Sequence, residues 1–313
     1  MKKKPLISII VPCLNEEEAI PVFHKEIDKV SKEMKEVDFE ILFVDDGSTD
    51  NSLKIMKELG KKDNRVKYRS FSRNFGKEAA MLAGLEKVEG DYITFMDVDL
   101  QDPPKMLMEM YDILEKEEYD CVALYTNSHE GYSFIRKGLT SLWYKLITKI
   151  AKSNQKPGAR DFRLMTRQMV NSILSMKEYN RYMKGMFDYV GYKTKWIAYE
   201  APDRKVGTSK FNLKKLVKYA MEGIVSTSTV PLTTSTFLGL FFCLISFIAI
   251  LVIIIKTIIF GDPVQGWPSL ACIVLFVSGV QLFFLGVIGT YMSKIFLEVK
   301  NRPVYIIKEE SDF

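Results

Sequence analysis

The sequence predicts an α/β domain built on a mostly parallel sheet, followed by amphipathic helices and then membrane-spanning ones. Apolar, β-branched runs alternate with helical periodicity from Leu6 to Met96, and acidic residues stand at the ends of those runs. Further on, no charged residue occurs from Gly223 to Ile255 or from Pro263 to Ser293.

Leu6–Val11 is a continuous apolar run of the kind buried on both faces of a parallel sheet. The preceding Met1-Lys2-Lys3-Lys4 looks like the start of a signal peptide. The apolar run is too short for one, Pro12 interrupts it, and Asn15-Glu16-Glu17-Glu18 follows, so it reads as a first strand that stays in the cytoplasm. A helix is expected over Glu16–Met34, a strand over Phe39–Val44, and a helix over Asp50–Leu59. A third strand (Val66–Phe71), a helix (Lys77–Val88) and a fourth strand (Tyr92–Met96) complete the repeat. Sheets of this type bind ligands at the carboxyl ends of their strands, where Asn15, Asp45, Asp46, Asp97 and Asp99 stand.

Ser133–Ile150 carries Ile135, Leu139, Leu142, Trp143 and Leu146 at helical spacing among Arg136, Lys137, Lys145 and Lys149. It suits either a membrane surface or a core-facing helix. Leu213–Ile224 has the same character and leads into the uncharged stretches, which makes it an interfacial helix. A bilayer needs roughly 20 apolar residues per helix, so spans fit at Leu232–Ile255 and Pro268–Ser293. Lys205, Lys210, Lys214, Lys215 and Lys218 precede the first, and Lys294, Lys300, Arg302 and Lys308 follow the second. The positive-inside rule then puts both termini in the cytoplasm. Gly279, Gly286 and Gly289 allow close packing of the second span.

Composition excludes several classes. The four cysteines show no CxxC or ligand-like spacing, and the two histidines are isolated, so neither a disulfide framework nor a zinc centre is expected. A net charge of +5 is too mild to imply nucleic acid. GxGxxG and GxxxxGK[ST] are absent, which argues against dehydrogenases and P-loop NTPases.

Asp97-Val98-Asp99-Leu100-Gln101 follows the fourth strand. In extended backbone Asp97, Asp99 and Gln101 point to one side. Three oxygen donors so placed suit Mg²⁺ or Mn²⁺, which also takes substrate phosphate oxygens. A loop whose carboxylates merely cap the next helix is the plainer alternative. Asp45-Asp46-Gly47-Ser48 can accept from ribose or base, or can form an Asx turn and helix cap.

VPCLNEEE, VDDGSTD, RNFGKEAAMLAG and DVDLQDPP, in this order, resemble the family 2 glycosyltransferases of GT-A fold. Within them the chain is most similar to the polyisoprenyl-phosphate glycosyltransferases, the group of dolichol-phosphate mannose synthase and the bactoprenol glucosyltransferases. The resemblance implies a cytoplasmic catalytic domain (1–210), a juxtamembrane helix (211–230), a two-helix hairpin (231–296) and a cytoplasmic tail (297–313) in the cell membrane. It implies that Pro12, Asn15, Glu17, Asp45, Asp46, Lys77 and Asp97 bind a UDP-sugar. Asp97, Asp99 and Gln101 would hold the metal, with Asp161 and Asp99 at the reaction centre. Arg163, Arg204, Ser209 and Lys210 would bind the phosphate of a polyisoprenyl (undecaprenyl) acceptor, with attraction to lipid headgroups the alternative for the basic pair Arg204 and Lys210. The implied reaction inverts the anomeric centre. Glucose is expected from the branch, with N-acetylglucosamine or mannose as alternatives, and Asn180 stands where many relatives have an acidic residue. A processive polysaccharide synthase would carry QxxRW, which is absent. The family also implies a homo-oligomer, plausibly a tetramer, and a membrane flippase for the product.

Overall fold

The structure, a computed structural model, describes residues 4–126, 156, 158–199, 229–260 and 266–312. The chain forms two compact units, one of Met1–Leu216 with Arg302–Phe313, the other of Val217–Asn301.

The first unit begins as the alternating pattern requires: β1 (Leu6–Cys13), α1 (Ala19–Glu33), β2 (Asp38–Asp45), α2 (Ser52–Lys62), β3 (Val66–Phe71), α3 (Lys77–Leu85) and β4 (Tyr92–Phe95). Then come α4 (Met106–Lys116), β5 (Cys121–Thr126), β6 (Ala159–Thr166), α5 (Arg167–Ser175), α6 (Met183–Tyr189) and β7 (Thr194–Tyr199). The described strands form one sheet in the order β7-β5-β6-β4-β1-β2-β3-β8, with β8 at Ile307–Glu310. β1 to β4 run parallel to one another. β6 runs against both its neighbours, β4 and β5, and β7 is parallel to β5. The reversal has a consequence for function: β6 starts at the edge of the sheet where β1 to β4 end.

Each face carries its own core. On one, α1 turns Ile20, Phe23, Ile27 and Val30 at helical spacing onto Ile7, Ile9 and Ile41. On the other, α3 brings Ala79, Ala80, Ala83 and Gly84 and lies directly on the strands. A Cβ at Gly84 would come 2.2 Å from Ile10 Cγ2.

The last residues, set apart from the sequence as a tail, belong to this sheet. β8 pairs antiparallel with β3. Tyr305 stacks on Phe71 at 5.0 Å, and Arg69 Nε donates to Glu310 at 2.7 Å. The edge of β3 is thereby covered rather than left open.

The second unit contains α7 (Val230–Phe260) and α8 (Trp267–Val299), which touch through Phe242 and Phe276 with ring centroids 5.9 Å apart. Large apolar side chains are exposed along both. Among the described residues one stretch, Phe276–Val299, is long and apolar enough by length and composition to cross a membrane. Of the pair of spans expected from the sequence, one such stretch is therefore found, while α7 covers the other, Leu232–Ile255, as helix. The basic segments 133–150 and 213–224 lie outside the described residues.

Gly84→Val should test the contact of α3 with β1. Ile10 is fully buried and cannot swing aside, so overpacking should cost about 1–3 kcal/mol, read as a lower Tm.

Candidate active site

The first wall is built by loops after β1 and β2. Asn15 adopts φ 56°, a left-handed conformation that asparagine tolerates. Its Oδ1 accepts from Thr49 N at 2.8 Å, and Ser48 Oγ accepts from its own N–H at 3.0 Å. Glu17 Oε2 accepts from Asn51 N at 2.9 Å and Nδ2 at 2.8 Å. Asp45 is 1% exposed, and its oxygens accept from Ser48 N and Ser70 Oγ. Asp46, also buried, accepts from Phe75 N at 2.6 Å and Gly76 N at 2.9 Å. Gly47, at φ +73°, lies so close to the 73–74 backbone that a Cβ would be 2.5 Å from Arg73 C. Asp45 and Asp46 thus shape the loops from within. The expectation that Asp45 faces a nucleotide is corrected: both its oxygens are spent inside the sheet edge.

The Asp97–Gln101 segment contains a turn rather than the extended backbone expected. Val98 and Leu100 are anchored in the core at 4% and 5% exposure, and Leu100 takes a left-handed φ of 57°. Such a conformation costs of order 1–3 kcal/mol for a non-glycine residue. Burying both apolar side chains leaves Asp97 and Asp99 partly exposed. Asp99 Oδ1 accepts from Gln101 N at 3.1 Å. Gln101 Oε1 accepts instead from Arg160 Nη2 at 3.1 Å. Gln101, expected among the metal ligands, here has its oxygen on the Arg160 guanidinium. Arg160 Nε also donates to Asp102 at 2.9 Å and to Tyr199 OH at 3.1 Å.

Asp161 follows Arg160 and comes to the same edge because β6 is reversed. Lys77, the first residue of α3, places its ammonium 2.7 Å from Asp97 Oδ1 and 2.8 Å from Asp161 Oδ2. Lys184 Nζ lies 3.8 Å from Asp161 Oδ1 and donates to Ala159 O at 3.2 Å. Burial works to lower the Lys77 pKa, but the carboxylates of Asp97 and Asp161 outweigh it and raise it above the ordinary lysine range. Burial works to raise Asp161, but Lys77 and Lys184 hold it below the usual carboxylate range. Glu78 shows the opposite balance, with burial pushing its carboxyl up to about 7.

Arg163, grouped with the acceptor phosphate, is a core residue at 2% exposure. Its guanidinium lies 3.7 Å from the centroid of the Phe187 ring, its Nη2 donates to Arg160 O at 3.2 Å, and burial lowers its pKa. Arg204, Ser209 and Lys210 fall outside the described residues. Pro12 is partly exposed at the end of β1. Lys184 and Arg160 enter the site without any motif that announces them, and Glu78, inside RNFGKEAAMLAG, without a role expected of it.

The family model described as Glycosyl transferase family 2 matches residues 8–174. A putative glycosyltransferase of Bacillus subtilis is 43% identical over 98% of this chain and 92% of its own. The chain is a family 2 glycosyltransferase. A bactoprenol glucosyl transferase of Shigella phage SfII is 42% identical to this glycosyltransferase, over 97% of each chain. A prophage bactoprenol glucosyl transferase homolog of Escherichia coli is 40% identical over 96% of this chain and 98% of its own. In fold, the glycosyltransferase is similar to glucosyl-3-phosphoglycerate synthase from Mycobacterium tuberculosis, with TM-score 0.50, 17% identity and coverage of 71% of this chain and 79% of that one.

Among the described residues no group of three His, Cys, Asp or Glu is close enough to hold a metal unaided. The donor set nonetheless fits a hard cation that draws further oxygens from a diphosphate. Asp97 and Asp99 are oxygen donors, and the site already draws a cationic group, Lys77, between Asp97 and Asp161.

Lys77→Met should leave Asp97 without its ammonium and Asp161 with Lys184 alone, and, because the pair is solvent-screened, cost up to about 1 kcal/mol of metal-free stability at pH 7. Because the folded-state pKa of Asp161 is depressed, its stabilising contribution is present above the unfolded carboxylate pKa and lost as pH falls below it. Tm measured from pH 6 downward should therefore fall less steeply in Lys77→Met than in the native chain.

Proposed function

We propose that this glycosyltransferase moves glucose from UDP-glucose to a polyprenyl phosphate carrier at the cytoplasmic face of a membrane. The observation that carries the reading is the 42% identity to a bactoprenol glucosyl transferase over 97% of each chain, helical unit included. The helices α7 and α8 then form a hairpin of two spans, with both termini cytoplasmic as the lysine and arginine distribution favours. A homo-oligomer and a flippase for the lipid product complete the proposal.

Asn15, Glu17 and Pro12, at the rim of β1, frame the nucleotide, with Asp46 holding the facing 75–76 loop. Asp97 and Asp99 would hold Mg²⁺ or Mn²⁺. When bound there, the cation supplies Lewis-acid neutralisation of the leaving nucleoside diphosphate. Lys77 shifts its ammonium from Asp97 towards the diphosphate and adds a second positive charge. Lys77 and Lys184 hold the Asp161 carboxyl below the usual carboxylate range, which disfavours it as the proton acceptor. A phosphate monoester nucleophile is already anionic at neutral pH, so Asp161 serves to orient a substrate hydroxyl or the acceptor. Attack from the face opposite the leaving group inverts the anomeric centre. Arg204, Ser209 and Lys210 receive the acceptor phosphate, where an arginine can bind two of its oxygens.

Full-length protein in nanodiscs, given labelled UDP-glucose, Mg²⁺ and undecaprenyl phosphate, should give an organic-extractable labelled lipid. Asp99→Ala should reduce that product at least about 100-fold. Aqueous polymer, or turnover only with another sugar nucleotide, would replace this reading. Full activity in Asp99→Ala would remove the metal assignment.

A further inference from the structure

Glu78 is a half-buried carboxyl beside the site that the transfer reaction leaves without a task. It stands in the first turn of α3, next to Lys77, and its Oε2 accepts from Met183 N at 2.8 Å, across 105 residues of sequence. Met183 opens α6. That helix has seven residues, no side-chain cap at Tyr182 and no acidic residue in its own first turn. So short a helix does not hold itself in place. It is fixed by burying Met183, Met186 and Phe187 and by the Glu78 carboxyl at its first N–H. The next residue is Lys184, which faces Asp161 Oδ1 and the Ala159 carbonyl. Consecutive residues of α3 therefore act on one carboxylate from two sides: Lys77 directly, Glu78 through α6.

We propose that Glu78 is a positioning residue for glycosyl transfer, fixing the start of α6 so that Lys184 stays on Asp161. The inference rests on the proposed role of Asp161 at the reaction centre. Burial at this spot is consistent with the task, since Glu78 is held up at about 7 and its protonated form still offers Met183 a carbonyl oxygen. The charged groups that face it are Lys77 on its own helix, Asp161 on β6, Lys184 on α6 and Arg181 just before α6.

The test uses full-length protein in nanodiscs and two readouts. In the first, lysine acylation followed by mass spectrometry reports Lys184 without any reliance on turnover. Glu78→Ala should speed Lys184 labelling several-fold relative to the other lysines, and Glu78→Gln, which keeps an acceptor oxygen, should not. Unchanged Lys184 labelling in Glu78→Ala would overturn the proposal. In the second, Glu78→Ala should lower kcat at least about tenfold with little change in the KM for donor, and Glu78→Gln should restore it to within about twofold. The double variant Glu78→Ala with Lys184→Ala should be no slower than Lys184→Ala alone, because both changes break one linkage. Multiplied effects, or a lowered Tm with kcat per folded enzyme unchanged, would overturn the proposal. A native chain that fails to turn over UDP-glucose with lipid phosphate counts against the proposed reaction, and the labelling result still decides the role of Glu78.

Discussion

The active edge depends on strand β6 running against its neighbours. That reversal delivers Arg160 and Asp161 to the side of the sheet where β1 to β4 end, and each residue takes hold of one end of the 97–102 turn. Arg160 grips Gln101 and Asp102 directly. Asp161 reaches Asp97 through the shared ammonium of Lys77. The turn is strained at Leu100 and stays in place because both ends are tied and Val98 and Leu100 are buried.

The same arrangement explains the chemistry assigned to it. Asp97 and Asp161 stand on either side of one ammonium and cannot stay ionised so close together without a cation between them. Lys77 supplies that charge in the ligand-free chain, and a divalent cation with a diphosphate supplies more of it during reaction. The two lysines that compensate Asp161 also weaken it as a base. A carboxylate so held suits an acceptor that arrives already ionised better than one that must lose a proton.

Much of this was legible in the sequence. The first four strands and their helices follow from apolar runs and helical periodicity, and β3 has the bounds expected for it. The grouping of Asp97, Asp99, Lys77 and Asp161 follows from the family resemblance. The later strands were not legible, because their neighbours in the sheet are distant in sequence. Arg163 was misplaced for a related reason: nothing in the local pattern says that alternate residues of β6 are buried on both faces, or that Phe187 waits beneath the guanidinium. The path of the 97–101 segment was not legible either: extended backbone was assumed where buried Val98 and Leu100 impose a turn. Glu78 stands within RNFGKEAAMLAG, but nothing there says that its carboxyl reaches a helix about a hundred residues away, and Lys184 stands in no motif.

The central claim is that Asp97 and Asp99 form an incomplete cation site that the donor diphosphate completes. Mn²⁺ binding to the full-length protein, followed by electron paramagnetic resonance with and without UDP, tests it most directly. Weak binding alone, at least about tenfold tighter binding with UDP, and loss of that gain in Asp99→Ala are the expected results. Tight Mn²⁺ binding without UDP, or a UDP-dependent gain that survives Asp99→Ala, would contradict it.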